Sequence, residues 1–373
     1  MPNNRIFYAT QKAGIAPVGS NSYTTIRGLQ SIGMTTNFNL EQVFEIGKLA
    51  VYENIEGIPD VQVDLEKVLD GYAPIYTLAT QLGTAATLIG RSNAQCSLAL
   101  SVYPDTNSTA EGTPGAECKL SGLYVSSVSY SVSVDGNATE SVALIGNNKV
   151  WKGLIAGTSF ANYADGNVFS NSANPKAISG SGGVNRREDV LFAYDGTSVD
   201  GNGASSGAGT ILPQDIPGVS TSGTNNKIAG QFQAHLQSFS TSVDLGREDL
   251  FELGRRGQYH KFVNFPVEVT TEIAVIASSG DLVSATEDGI RGGTGCAALG
   301  NLYDRTIRLH MCEGLQVDLG KYNKLSTVGV TGGDAGGGNV EVTYSYTNFN
   351  EFGVYHPSDP SRVVAGFDPA GVF

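Results

Sequence analysis

The sequence predicts a mainly β fold made of two tandem β-sandwich or half-barrel domains, each with a short flanking helix. Three observations lead to this prediction. Several segments alternate apolar and polar residues, which indicates strands with one buried face. Glycine is abundant, with 48 residues in 373, and so are Ser, Thr and Asn, a composition typical of strands and turns. Part of the chain also recurs in diverged form.

The recurrence begins at Leu29-Gln30-Ser31, which reappears as Leu236-Gln237-Ser238, 207 positions later. Six further identities keep the same spacing without a gap: Glu41 with Glu248, Phe44 with Phe251, Glu45 with Glu252, Gly47 with Gly254, Tyr52 with Tyr259 and Pro59 with Pro266. Chance does not readily give nine identities in one alignment. The sequence therefore predicts a first domain over residues 1–160, a Gly/Ser/Asn-rich linker and insertion over 161–207, and a second domain over 208–373.

Four strands stand out by their period of two. Apolar residues alternate with serines over 127–134 and with polar residues over 340–347, and a glycine-containing turn adjoins each segment. Both are predicted to be hairpin arms. The other two strands follow Pro59 and Pro266, where the repeat slips by one residue and Asp60 is interpreted as the insertion. Such strands bury one face and expose the other to water.

The predicted flanking helix spans Asn39 to Gly47. Asn39 is its N-cap, Gln42 the capping-box partner and Gly47 the residue that ends it. A loop following a strand is the alternative for this segment.

The net charge of −13 restricts the function. Tight nucleic-acid binding needs clustered Lys and Arg, so an acidic chain is a poor candidate for it, whereas an acidic surface lets nucleic acid slide past without sticking. Charged residues make up only 16% of the chain. This favours either extensive burial against neighbouring subunits or simply a Ser/Thr-rich β protein.

Targeting signals are not evident in the sequence. It contains no run of 18 apolar residues, and Met1 to Tyr8 lacks the apolar region of a secretory signal. We therefore expect synthesis in the cytosol, with release only by lysis. The four cysteines (Cys96, Cys118, Cys296 and Cys312) form no CxxC motif, which disfavours a zinc site. Free thiols and late disulfides both remain open.

The sequence strings that resemble catalytic motifs lack the neighbouring residues and elements that such motifs require. The Gly332–Asn339 segment is followed by a strand, whereas the last Gly of a phosphate-binding loop is followed by a Lys, then by a Ser or Thr, and then by a helix. The nucleophile-elbow string at Gly203–Gly207 lies in the linker, and the four histidines are scattered. We expect no enzymatic activity, no catalytic residues, no cofactor and no metal.

Several of these segments resemble the tail tube proteins of tailed bacteriophages. The resemblance rests on Arg247–Arg255, Phe265–Thr271, Glu140–Asn147 and the closing Lys324–Tyr346 hairpin, which occur in the family's order. It implies six domains around a DNA channel, with inner strands joined into one barrel and rings stacked into a tail. Because this chain carries two domains, it implies a homotrimeric pseudo-hexameric ring, with a homohexamer as the alternative.

Family membership also implies a place and a set of partners. The protein would be assembled in the host cytoplasm and reside in the virion tail, in contact with itself, other tail proteins and genomic DNA that transits without specific binding, and not with a membrane. Residues 1–28, the linker and 359–373 are candidate arms that hook the next ring. The exposed residues of the two repeat strands are the candidates for lining the lumen: Gln62, Asp64, Glu66, Glu268, Thr270 and Glu272.

Two other interpretations stay open at this point. One is a different ring protein of a phage tail, such as a terminator, a baseplate hub or a sheath. The other is a β-sandwich adhesin or carbohydrate-binding module, which the single tryptophan, Trp151, disfavours because sugar sites usually stack on exposed aromatic rings. For the six candidate side chains, the alternative to lining the lumen is that they face ordinary solvent on the outer wall.

Overall fold

The computed structural model describes residues 5–20, 22–85, 87–104, 114–153, 169–170, 183–190, 210–213, 215–219, 234–254, 258–281, 283, 304–311, 315–332 and 338–356. The predicted mainly β fold is confirmed. Two short helices lie in the first half, α1 (Ile75–Ala79) and α2 (Leu88–Arg91). The strands are β1 (Gln11–Pro17), β2 (Tyr23–Thr25), β3 (Leu29–Asn37), β4 (Leu40–Phe44), β5 (Val51–Glu56), β6 (Asp60–Val68), β7 (Cys96–Val102), β8 (Ala116–Ser133), β9 (Thr139–Gly146), β10 (Asn148–Gly153), β11 (Phe169–Ser170), β12 (Leu236–Asp244), β13 (Arg247–Leu250), β14 (His260–Val263), β15 (Glu268–Ile276), β16 (Arg308–His310), β17 (Gln316–Asp318), β18 (Lys324–Thr331), β19 (Glu341–Phe349) and β20 (Gly353–Tyr355).

Eight of these strands form one continuous antiparallel sheet, which we call the main sheet. Its order is β3-β6-β9-β8-β12-β15-β19-β18. The long strand β8 connects it to a second sheet, because its N-terminal part pairs with β7 and β10 and its C-terminal part with β9 and β12. Gly122, with φ 68°, lies where β8 changes partners.

The period-two pattern of the sequence places one face of the main sheet in the core. In β6 and β15, exposed and buried residues alternate as predicted, with Val63, Val269 and Ile273 fully buried. The predicted hairpins β8–β9 and β18–β19 are confirmed. The buried face packs in one apolar cluster with side chains of β1, β7, α1, β16, β17 and β20.

The two halves of the main sheet share strand order and irregularities. Strands β3 and β12 both have nine residues and begin 207 positions apart, and each carries a bulge after its leucine, between Leu29 and Ser31 and between Leu236 and Ser238. Strands β8 and β18 also carry bulges, 200 positions apart, between Val125 and Ser127 and between Leu325 and Thr327.

One detail of the repeat alignment was wrong. Strands β6 and β15 have nine residues each and begin at Asp60 and Glu268, 208 positions apart. The extra residue therefore lies in the second segment, before Glu268, and Asp60 is not an insertion. Alternation alone could not decide this, because a slip of one residue in either direction restores the period of two.

The predicted helix at Asn39–Gly47 is also wrong, and so is its loop alternative. The segment forms β4, which pairs with β5 in a hairpin. Asn39 does not act as an N-cap: it has φ 48°, and its side-chain amide donates to the Ile58 carbonyl at 2.9 Å and to Asp60 Oδ2 at 2.8 Å. Gly47, with φ 91°, lies at the tip of the hairpin.

The predicted N-terminal arm is largely part of the fold. Within residues 1–28, β1 lies between β2 and β7, where the small side chains of Ala13 and Ala16 are buried. Most of the predicted linker, and all of 359–373, fall outside the described residues. The domain limits at 160 and 208 therefore stay predictions.

A buried carboxylate fixes α1 against the main sheet. Glu140, on β9, is fully buried and accepts the backbone N–H groups of Ile75 at 2.6 Å and Tyr76 at 3.0 Å and the hydroxyl of Tyr130 at 2.8 Å. Burial raises the pKa of Glu140, while these hydrogen bonds lower it. The carboxylate thus supplies acceptors that the first turn of a short helix lacks.

Replacing Glu140 tests this anchor. Glu140→Ala leaves three buried donors without an acceptor and should reduce the free energy of unfolding by about 3 kcal/mol or more. Glu140→Gln keeps one carbonyl acceptor and should cost less. Urea unfolding monitored by circular dichroism measures both variants. A loss below about 1 kcal/mol for Glu140→Ala would contradict the assigned role.

Candidate functional site: a polar sheet face and its two edges

The face of the main sheet opposite the core is polar, and we call it the polar face. It contains all six residues predicted from the repeat strands. Gln62, Asp64 and Glu66 are exposed on β6, and Glu268, Thr270 and Glu272 are exposed at alternate positions of β15. The structure thus brings both sets onto one sheet face.

Small hydroxyl side chains connect the two acidic strands. One row of directly paired residues crosses all eight strands: Ser31, Glu66, Ser141, Ser129, Ser242, Thr270, Thr347 and Lys324. Within this row Ser242 Oγ and Thr270 Oγ1 are 2.8 Å apart. The result is a continuous polar surface on which most side chains are short.

The charge on the polar face is mainly negative. Its carboxylates include Asp64, Glu66, Asp244 and Glu272, and three of these four line one open concavity of about 440 Å³ together with serines of β8, β9 and β12. Lys324 lies at the margin, on the edge strand β18. Hydroxyls and carboxylates at this density give a hydrated surface that repels phosphates.

Within the described residues, the two edge strands of the main sheet have no strand partner on their outer sides. Among the described residues β3 pairs only with β6, and β18 only with β19. The exposure of apolar side chains on β18 reflects the missing neighbour. Val128 and Tyr130 of β8 are buried, whereas the corresponding Val328 of β18 is half-buried and Val330 is 61% exposed.

The pairing of β8 with β12 shows how such edges can be joined, and we call this contact the internal joint. Seven residue pairs connect the strands, from Ser127 with Asp244 to Ser133 with Ser238. The β13–β14 hairpin then crosses onto the first half of the chain. There Arg247 stacks over the Tyr124 ring, with its guanidinium carbon 4.8 Å from the ring centroid.

Arg247 makes two of the hydrogen bonds that cross the internal joint and a third within its own hairpin. Its Nε donates to the Val125 carbonyl at 2.5 Å, and its two terminal nitrogens donate to the carbonyls of Lys261 at 3.1 Å and Ser92 at 2.6 Å. Burial lowers the pKa of Arg247 to about 10, so it remains charged at neutral pH.

Three side-chain pairs complete the joint. The Tyr124 hydroxyl lies 2.7 Å from His260 Nδ1, and burial and then Arg247 lower the pKa of that imidazole. The side-chain amides of Asn147 and Gln258 contact each other. Lys261 is only 4% exposed, and its ammonium lies 2.7 Å from Asp249 and 3.7 Å from Asp60.

The corresponding hairpin of the first half, β4–β5, is exposed to solvent. Strands β4 and β5 have the same register as β13 and β14, 207 positions earlier. Leu40 occupies the position of Arg247 but is 65% exposed, and Asn54 occupies the position of Lys261 but is also exposed. The tips match as well, because Ile46 and Leu253 are both fully exposed.

Sequence reasoning missed the internal joint and most of the serines. The serines of β12 alternate over 238–242 and were detectable by their period. Arg247, His260 and Tyr124 were not, because the repeat directs attention to positions that are identical. The joint lies at positions where the two copies differ.

Cys96 and Cys118 are free and buried, and burial raises the pKa of their thiols to about 12 and about 11, while Cys296 and Cys312 lie outside the described residues. Within the described ranges, no group of three or more His, Cys, Asp or Glu side chains could hold a metal ion. No helix there has the length and apolarity needed to span a membrane.

Comparison with known proteins gives only weak similarities. No protein-family model and no curated protein matches the chain. Solved structures similar to it include the baseplate of the anti-feeding prophage, solved by cryo-EM with six-fold symmetry (10% identity, TM-score 0.30, covering 41% of this chain and 98% of that one). The sheath–tube complex of an extracellular contractile injection system (PVC) in the extended state is another (9%, 0.31, 41% and 95%), as is the tube-terminating cap of the anti-feeding prophage (10%, 0.30, 41% and 94%). Such TM-scores do not establish a fold family.

A comparison of Arg247 with Leu40 tests the internal joint. In the unassembled chain Arg247→Ala should lower the free energy of unfolding by about 2–4 kcal/mol, because several charge-assisted hydrogen bonds are lost. Leu40→Ala, at the corresponding exposed position, should change it by no more than about 0.5 kcal/mol. Urea unfolding of dilute protein measures both. Equal effects of the two substitutions would contradict the assigned difference between the hairpins.

Proposed function

We propose that this chain is a virion structural protein without catalytic activity, whose copies close into rings that stack to form the tube of a phage tail. The single observation that carries the proposal is the main sheet. It has one acidic, hydroxyl-rich face and two open edges that correspond to strands already joined inside the chain. Three copies per ring, each contributing two similar halves, give six units around a channel.

Open strand edges favour closure of the sheet. A sheet edge presents unpaired N–H and C=O groups and pairs readily with another chain, and a closed barrel has no edges. Strand β18 corresponds to β8 and β3 to β12, so the edge of one copy fits the edge of the next as β8 fits β12. Head-to-tail contacts of this kind produce rings when the rotation closes.

The stagger of the main sheet supports a barrel. Following paired residues from Ser31 across β6, β9 and β8 leads to Ser242, whose counterpart 207 positions earlier is Thr35, four residues from Ser31. The stagger is thus four residues for every four strands. Barrels of eight strands with a shear of 8 have this ratio of one, and their strands tilt by about 36°.

The expected dimensions fit a DNA channel. Three copies of eight strands make 24, and 24 strands spaced about 4.8 Å and tilted by about 36° close at a backbone diameter of about 45 Å. Inward side chains leave an opening of roughly 35 Å. The two grooves of a DNA duplex are about 8.5 and 7.5 Å deep. The duplex is therefore narrower than this opening and passes through it.

The polar face suits the lumen of this channel. Lumen-facing Gln62, Asp64, Glu66, Glu268, Thr270 and Glu272 would repel the phosphate backbone, so genomic DNA would move without binding. The alternative orientation places the same face on the outer wall. The proposed location is the virion tail, with other tail proteins as neighbours.

Electron microscopy of the purified protein tests the proposal. We expect rings or stacked tubes with apparent six-fold symmetry, and a native mass for each ring equal to three chains. A mass of six chains would replace the trimer by a hexamer while retaining the tube. Monodisperse single chains over the accessible concentration range would contradict the function.

Charge substitution on the polar face tests the lumen assignment. Glu66→Lys combined with Glu272→Lys should leave tube assembly intact but make the channel retain duplex DNA, with binding that weakens steeply as salt increases. Retention is measured as the DNA that remains with tubes after nuclease treatment.

The matched control makes the same charge change outside the polar face, with Asp135→Lys and Glu188→Lys. Both residues are exposed. The control tubes should hold no nuclease-resistant DNA. Equal protection by the two variants, or none by either, would place the polar face outside the lumen.

A further inference from the structure

We propose that the contact between copies, which we call the outer joint, reuses the register of the internal joint but has its own set of complementary side-chain pairs. The inference rests on the proposed function and goes further by naming the partner as a second copy of this chain and by giving the residue pairs. It follows from laying the internal joint onto the two open edges.

The backbone register follows directly. Strand β8 maps onto β18 with a shift of 200, as the two bulges show, and β12 maps onto β3 with a shift of 207. Internally, Val128 pairs with Val243 and Tyr130 with Thr241. The outer joint therefore pairs Val328 with Thr36 of the next copy, and Val330 with Met34.

The side-chain pairs between hairpin and sheet differ between the two joints, and both members of each pair differ together. The first is the pair of aromatic side chains. Tyr124 maps onto Lys324, and His260 maps onto Glu53. The hydrogen bond between Tyr124 and His260 thus becomes an ion pair between Lys324 and Glu53 of the next copy. Both of these side chains are exposed in the single chain, and Lys324 also lies 2.6 Å from Asp304.

Two more pairs change together. Asn147 and Gln258 map onto Phe349 and Val51, so a pair of amides becomes a pair of apolar side chains that are 58% and 40% exposed in the single chain. Asp60 and Lys261 map onto Glu268 and Asn54, so an ion pair becomes a carboxylate with an amide donor.

In each of the three exchanges, a complementary pair at the internal joint is replaced by another complementary pair at the outer joint. The inference rests on this observation. If the first hairpin faced solvent, nothing would make Glu53 match Lys324 or Val51 match Phe349. Mixed contacts are poor: Gln258 finds no hydrogen-bond partner in Phe349, and Val51 offers no hydrogen bond to Asn147. Such differences direct each hairpin to its own site, which is how related interfaces remain distinct.

Charge reversal tests the ion pair. Glu53→Lys or Lys324→Glu alone places like charges at the outer joint and should lower the association constant about tenfold or more at low salt. The double variant restores opposite charges and should form rings as the unmodified chain does. Asp304→Asn is the matched control, because it removes the internal partner of Lys324 and leaves the outer pair intact, so rings should persist.

Mixing the two single variants adds a test of ring size. Every joint is complementary only when the variants alternate, which requires an even number of chains. A three-chain ring keeps one mismatched joint, so the mixture should give open strings rather than closed rings. Closed rings from the mixture would support the ion pair and replace the trimer by an even-numbered ring.

Disulfide trapping tests the register. Val330→Cys with Met34→Cys places two cysteines directly opposite, at a Cα separation that a disulfide spans, and should give covalent chains of copies on oxidation. Val330→Cys with Ile32→Cys is shifted by two residues and should give none, nor should the unmodified chain.

The outcomes separate the two proposals. If the unmodified chain forms rings but the double charge variant does not recover them, or if the shifted cysteine pair cross-links as well as the direct pair, the outer joint is wrong and the tube remains. If the unmodified chain forms no rings at all, the proposed function fails first.

Discussion

Backbone hydrogen bonding along two strands is the constraint on which the structure depends. In the main sheet, six strands satisfy both sides, whereas β3 and β18 satisfy one each within the described residues. A polar opposite face prevents the sheet from covering itself with a second apolar layer there. The same chain shows how such edges can pair, because β8 and β12 are the counterparts of the open strands and are joined through seven residue pairs. Pairing β18 of one copy with β3 of the next would repeat this arrangement around a ring.

The two halves divide their roles by the positions at which they differ. Identities between them lie in the bulges, the hairpin tips and the turn before each acidic strand, which set backbone shape. Differences concentrate where one half touches the other. Arg247, His260 and Lys261 make the second hairpin a fixed clamp across the internal joint, while the first hairpin has an acidic and apolar surface that remains exposed in the single chain. Divergence after duplication would produce this division.

Much of the fold was predictable from the sequence, because period-two alternation reports directly on which face of a strand is buried. It gave the strands at 61–66 and 127–134, the closing hairpin and the six exposed residues of the polar face. It failed at Asn39–Gly47, where capping residues suggested a helix but the partner strand at Val51–Glu56 decided the outcome. Pairing between distant strands, such as β8 with β12, depends on contacts more than 100 residues apart that no local pattern encodes. The internal joint could not be predicted for the same reason.

Amide hydrogen exchange on assembled and dissociated protein tests the central claim most directly, because it reports strand pairing residue by residue. The account predicts that outward amides of β3 and of Val328–Thr331 exchange quickly in the single chain and become as protected as those of β8 and β12 on assembly. Rapid exchange of both edges in an assembled particle, with β8 and β12 fully protected, would contradict closure of the sheet through these strands.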